Sequence, residues 1–175
     1  MGIKIALFGG RGSGKDTVVF FLQSIMKINK IRLAEYVVEA CKAFGIENPT
    51  RSELAFVGTE IGRNMIGKNV WINKALNDPR NNIPEENYII SDVRFPNEYE
   101  TFVNAGFIPI LINADEDVRI KRVLERDGTI DLKLLETESE QAWKTFEPRF
   151  VLDNNGTKEE LLEQLIIIIE TLKGE

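Results

Sequence analysis

The chemistry of this chain is most visible at Lys15, which follows Gly9-Gly10-Arg11-Gly12-Ser13-Gly14 and precedes Asp16-Thr17. Gly9 to Lys15 has the spacing G-x-x-x-x-G-K of a loop that cradles phosphate. Glycines let backbone N–H groups crowd around an anion, and a helix starting behind them turns its positive end the same way. The lysine then adds a mobile point charge, and Arg11, inside the loop, adds a second one. The residue after such a lysine is normally a Ser or Thr whose hydroxyl holds Mg²⁺. Here it is Asp16, with Thr17 one place later. Carboxylate and hydroxyl oxygens both suit a hard cation, so Asp16 and Thr17 are candidate Mg²⁺ ligands; a role for Asp16 on the acceptor stays open. A dinucleotide fingerprint fails on spacing, because the third glycine position after Gly10-x-Gly12 is Lys15. The bland alternative is a glycine-rich turn that caps the next helix and binds nothing.

A second carboxylate, Asp92, ends the run Tyr88-Ile89-Ile90-Ser91. The carboxyl end of an apolar strand is where a further phosphate-site carboxylate is expected, opposite the glycine loop. The sequence has no His and a single Cys, Cys41. Imidazole catalysis, His-ligated zinc and a disulfide framework are thereby excluded. Asp, Glu, Lys and Arg with Mg²⁺ must carry the chemistry.

The elements that would position these residues follow from periodicity. Residues 3–8 form an apolar run of strand length, and Val18, Val19, Phe21, Leu22, Ile25 and Met26 recur at helical spacing over 16–27. A short strand is expected at 28–33, a helix at 34–44 ended by Gly45, and a helical pattern at 51–66. Gly58 and Gly62 interrupt that pattern and imply a close approach of backbone or ligand. Further on come a short helix at 71–76, strands at 87–92 and 107–113, and helices from Pro96 to Gly106 and over 115–126. A polar, mobile stretch at 127–136 precedes a helical segment at 138–146 and a strand at 149–153, and Thr157-x-x-Glu160 caps a last helix at 159–172. Strands alternating with helices specify an α/β fold of the P-loop NTPase kind, a parallel sheet flanked by helices. One domain over 1–175 is expected, with a small mobile lid within about 126–140.

Composition narrows the class. The chain has 175 residues, 43% hydrophobic and 29% charged, with net charge −6, which suits a soluble globular protein and argues against a nucleic-acid binder. The start runs straight into an expected core strand, so no signal peptide is expected, and the apolar stretch at 161–172 is too short to span a bilayer. A cytoplasmic protein with small-molecule partners is expected, with a homodimer left open.

Together, GGRGSGKDT, the segment GTEIGRNMIG at 58–67, Trp71-Ile72 and IISDVRFPNE at 89–98 resemble the deoxynucleoside monophosphate kinases of tailed bacteriophages and their bacterial relatives. SDVRFPNE is the most specific part, and the likeness runs from residue 3 to about 165. The G-K-D variant is also similar to phosphomevalonate kinase, and LDNNGTKEEL to dephospho-coenzyme A kinase, both in the same broad P-loop group. The resemblance implies transfer of the γ-phosphoryl of ATP, with Mg²⁺, to a deoxynucleoside 5′-monophosphate. It implies catalytic roles for Lys15, Arg11, Asp16, Asp92, Arg122 and Arg126. ATP would lie on Gly9, Gly10, Arg11, Gly12, Ser13, Gly14, Lys15, Asp16 and Thr17, with Arg119 and Asn155. The acceptor would meet Arg63, Trp71, Asp92, Arg94 and Glu138, and Mg²⁺ would be held by Asp16, Thr17 and Asp92. Some have a plainer reading: Arg63 as a solvated helix residue, Trp71 as core, Glu138 as solvated charge, and Arg119, Arg122 and Arg126 as partners of Asp115, Glu116 and Glu125. A phosphomevalonate-kinase-like or other small-metabolite kinase is the alternative. A nucleotide-dependent switch is disfavoured, since Asn73-Lys74-Ala75-Leu76 lacks the aspartate of a guanine motif.

Overall fold

The first apolar run does form a strand, β1 (Lys4–Phe8), with Ile5, Ala6, Leu7 and Phe8 buried. The computed structural model describes residues 1–130 and 135–174, and of Glu138 and Ser139 the backbone alone. The further strands are β2 (Asn29–Ile31), β3 (Tyr88–Ile90), β4 (Ile108–Asn113) and β5 (Phe150–Asp153). Among the described residues they form one parallel sheet in the order β2-β3-β1-β4-β5, with Ala6 opposite Ile90 and Leu7 opposite Ile110. Strands covered on both faces read as continuous apolar runs, which is why β1 and β3 show no alternation in sequence.

The helices are α1 (Lys15–Ile25), α2 (Leu33–Ala43), α3 (Arg51–Ala55), α4 (Val70–Asn77), α5 (Pro96–Asn104), α6 (Glu116–Asp127), α7 (Glu138–Gln141) and α8 (Lys158–Lys173). Side chains alternate across a strand, and the two faces of the sheet feed two cores. Ile5, Leu7 and Ile89 pack with Val18 and Leu22 of α1 and Leu161 and Leu165 of α8. Ala6, Phe8, Tyr88 and Ile90 pack with Tyr36 of α2, Trp71 and Ile72 of α4 and Phe102 of α5. The last helix is capped as its sequence predicts: Thr157 N–H donates to Glu160 Oε2 at 2.7 Å, and Glu160 N–H to Thr157 Oγ1 at 3.2 Å.

Two expected helices differ in kind. The pattern over 51–66 continues from α3 as a wide-turn helix, Phe56–Ile66, closed by Gly67 N–H to Gly62 O at 2.9 Å. The Trp71 indole presses against this helix at Gly62, where an added Cβ would sit 2.5 Å from Trp71 Cζ2. The expected helix at 138–146 is α7 followed by a tight turn, Ala142–Thr145. Of the segment expected as a lid, residues 131–134 lie outside the described residues. No helix among the described residues is long and apolar enough to cross a membrane.

Candidate active site

Parallel strands point their carboxyl ends to one edge, so the loops after β1 and β3 open side by side. After Phe8 the chain turns through Gly12 (φ 83°) and Gly14 (φ 102°), both in the left-handed region that favours glycine. A Cβ on Gly12 would also meet the Arg119 carbonyl oxygen at 2.5 Å. No side chain caps the first turn of α1, which leaves the N–H groups at its start for an anion. Lys15 lies back along the loop, with Nζ donating to Gly9 O at 2.6 Å and Gly10 O at 3.1 Å. Burial lowers its ammonium to about 8; Glu140 opposes that shift and Arg94 adds to it.

Cations converge on this loop. Arg11, Lys15, Arg51, Arg94, Arg122 and Arg126 line a cavity of about 580 Å³ in which Asp16 and Glu140 are the acidic lining residues. Six cations against two carboxylates, in a chain of net charge −6, give this cavity the charge that an anion would answer. Arg119 braces the loop from behind: it is 8% exposed, with Nε donating to Ala114 O at 3.1 Å and its guanidinium 5.9 Å from the Trp143 ring. Arg126 Nε pairs with Asp127 Oδ1 at 2.7 Å, and Arg11 Nη2 with Asp127 Oδ2 at 2.9 Å. Those two guanidinium groups, Arg126 first, hold the Asp127 carboxyl well below the usual range. Glu140 reaches into the loop, where its Oε2 accepts the Arg11 N–H at 3.1 Å.

A second cavity, about 340 Å³, adjoins the first and shares Arg94 with it. Arg63, Trp71, Asp92, Phe95 and Glu98 form its walls. Burial, then repulsion from Glu98, pushes the Asp92 carboxyl up to about 6 against the pull of Arg94. Arg63 Nη2 donates to Glu98 Oε1 at 2.8 Å and stands 4.6 Å over the Phe95 ring. Trp71 is 6% exposed and its indole N–H donates to Gly58 O at 2.8 Å, so the ring is a core side chain that also walls the cavity.

Among the described residues, Ser13 Oγ, Asp92 Oδ1 and Arg122 Nη1 are buried without a hydrogen-bond partner. All three belong to the loop or the two cavities, and buried polar atoms left unpaired call for a polar ligand. The donors of the loop and the first cavity fit a polyphosphate. Among the described residues no three Asp, Glu, His or Cys side chains converge as a metal cage. Mg²⁺ at phosphates takes one or two protein carboxylates and completes its shell with phosphate and water, so Asp16, Thr17 and Asp92 match that chemistry.

Asp16 lines the first cavity, but its side chain is 89% exposed and lies 3.6 Å from Lys30 Nζ. Not every expected residue meets this site. Asn155 is turned away, accepting the Asp115 N–H at 2.7 Å and donating to Asp153. Its neighbour Asn154 makes the contact with the loop, donating to Ser13 O at 2.7 Å. The side chain of Glu138 lies outside the described residues. Sequence reasoning missed Arg51, Glu98, Asn154 and the placement of Glu140. Glu98 carries a signal, an acidic residue two places after Pro96 at a helix start. Arg51 after the capping Thr50 carries none.

No protein-family model matches the sequence, and no curated protein sequence matches it significantly. Solved structures do match. TT1252 from Thermus thermophilus superposes with TM-score 0.67 at 21% identity over 97% of each chain. A shikimate kinase from Bacteroides thetaiotaomicron gives 0.60 at 18% identity over 98% of each chain. A gluconokinase from Sinorhizobium meliloti 1021 gives 0.52 at 15% identity over 98% of this chain and 95% of that one. At such identities the likeness fixes the architecture alone: the chain shares with these structures an α/β fold, a parallel sheet flanked by helices, consistent with a P-loop NTPase-like kinase fold.

Proposed function

We propose that the chain is a small-molecule kinase, moving the γ-phosphoryl group of ATP to a small anionic acceptor. The observation that carries this is the pair of adjoining cavities sharing Arg94, one built on the phosphate loop and one on Arg63 and Asp92. Phosphoryl transfer asks a protein for positioning and charge neutralisation more than for covalent chemistry. The loop N–H groups and Lys15 hold the polyphosphate, and Arg11, Arg122 and Arg126 answer charge on the transferring group. Asp16, Thr17 and Asp92 would hold Mg²⁺, which supplies charge neutralisation between the phosphates. A nucleotide-dependent switch leaves the second cavity without a use.

Two acceptors compete within this reading. A deoxynucleoside 5′-monophosphate is favoured by Gly58, Thr59 and Arg63 on one side of the second cavity and Asp92, Arg94, Phe95 and Glu98 on the other. Those two segments carry the sequence likeness to the deoxynucleoside monophosphate kinases. A hydroxylated metabolite is favoured by the unpaired Asp92 Oδ1, an acceptor for a hydroxyl hydrogen. The shikimate kinase and gluconokinase among the matching structures weigh on the same side, so the broader small-metabolite reading is the conclusion. ADP release from ATP and Mg²⁺ with deoxynucleoside monophosphates, mevalonate 5-phosphate, shikimate and gluconate tests it. At least one acceptor should raise release well above the acceptor-free rate. A chain that binds ATP yet responds to none of them would refute the kinase reading.

A further inference from the structure

A carboxylate taken out of water needs partners, and Glu98, 2% exposed, has three. Its Oε2 accepts the N–H groups of Arg94 at 2.8 Å and Phe95 at 3.2 Å. Its Oε1 accepts Arg63 Nη2 at 2.8 Å. The Oε2 contacts are what an acidic residue in the first turn of α5 does as a cap. The Oε1 contact is not, because it ties α5 to the wide-turn helix Phe56–Ile66, from which Arg63 projects. The Phe95 ring faces Arg63, so one carboxylate fixes both the guanidinium and the ring on which it stands.

Resting on the kinase reading, we propose that Glu98 is a positioning residue that presets Arg63 and the Arg94-Phe95 turn as a clamp for the acceptor's anionic group. A guanidinium has five N–H donors, and the contact with Glu98 engages Nη2. The remaining donors stay available to an incoming anion. An unrestrained arginine would lose rotamer freedom when the anion arrives; here that ordering is complete beforehand. The carboxylate also offsets part of the arginine's charge, so its gain lies in geometry and selectivity rather than in attraction.

Glu98→Gln separates cap from clamp. A glutamine oxygen still accepts the two backbone N–H groups, but its NH₂ then faces the Arg63 guanidinium, donor against donor. With whichever panel compound turns over fastest, E98Q should raise the acceptor KM about tenfold, keep the ATP KM within about twofold, and melt close to the parent chain. In the Arg63→Ala background the same change should add nothing to the acceptor KM, since the residue it positions is gone. An unchanged acceptor KM, an equal rise for ATP, or effects that multiply in the double variant would each overturn the assignment. Should E98Q not fold, E98D, with its carboxylate drawn back by one methylene, is read by the same criteria. A parent chain that phosphorylates none of the panel fails at the earlier step and refutes the kinase reading itself, taking this assignment with it.

Discussion

The proposed phosphate half and acceptor half of this site are built by opposite means. The first is one contiguous stretch, Gly9 to Thr17, shaped by backbone: three glycines at positive φ, an uncapped helix start, and a lysine folded onto its own loop. The second is assembled from segments far apart, with Arg63 and Glu98 separated by 35 residues. Local backbone geometry survives most side-chain changes nearby, whereas a clamp held by one partly buried ion pair changes when either partner does. The nucleotide end is therefore fixed by the fold, and the acceptor end is the adjustable one.

The largest effect should come from the lysine at the centre of the fixed half. Lys15→Ala should lower turnover by at least about a hundredfold, as loss of a preorganised charge at a transferring phosphoryl group does. Its melting temperature should not fall, because the ammonium is buried at a cost that already lowers it to about 8. ADP release and thermal melts check both. Near-normal turnover would mean that the loop N–H groups suffice alone, and the contrast between the halves would collapse.

The same contrast explains what the sequence could show. Glycine spacing, an apolar run before it and helical periodicity after it are local, and β1, the loop and α1 formed where they were expected. The Thr157-Glu160 cap is local too. The strand order was not written locally; it brings Asp92 beside the loop by pairing β3 with β1 across 84 positions, as Lys4 with Tyr88. Glu98 reads as a helix cap in sequence, and only the approach of the Phe56–Ile66 helix gives its other oxygen a partner. The Gly62 interruption was legible as a close approach, but that the visitor is the Trp71 indole rather than a ligand required the packing. Asn154 and Asn155 are chemically identical neighbours, and only the turn after β5 decides which faces the loop.

Asp92 lies where the halves meet, and its substitution should trade activity for stability. Burial and Glu98 raise its carboxyl from 3.8 to about 6. The folded state thus disfavours the ionised form; that penalty is absent below the unfolded value, grows as pH rises between the two, and is complete above the folded one. Asp92→Asn removes a charge that at neutral pH costs on the order of 2–3 kcal/mol. Melts at pH 7 should show the variant more stable, with the difference fading as pH falls through 6 towards 4, while ADP release drops. A variant less stable at pH 7 would show that the carboxylate is paired in the fold, and would sharpen the boundary between the halves by moving Asp92 into the structural set.

The smallest effect concerns Glu140, the carboxylate that enters the fixed half from α7. Its Oε2 occupies the Arg11 N–H, a donor that a phosphate oxygen would otherwise take, and its Oε1 lies 3.9 Å from Arg94 Nη1. An anion binding there must displace a negative charge already in place. Glu140→Gln keeps the shape and removes the charge, so nucleotide binding at pH 7 should tighten, by up to about tenfold given the worth of one charge-assisted hydrogen bond. The gain should depend on pH with a definite sign. Glu140 raises the Lys15 ammonium, so removing its charge lowers that group further below about 8. Binding of a polyphosphate favours the protonated lysine, so the variant loses its charge at lower pH than the parent does. The advantage should be clear at pH 7, shrink through pH 8 and be gone by about pH 9. Titrations of ATP followed by calorimetry at those three values decide it. Weaker binding in the variant at pH 7 would show that Glu140 completes the nucleotide site rather than competing for it, and the phosphate half would then depend on a distant side chain as much as the acceptor half does.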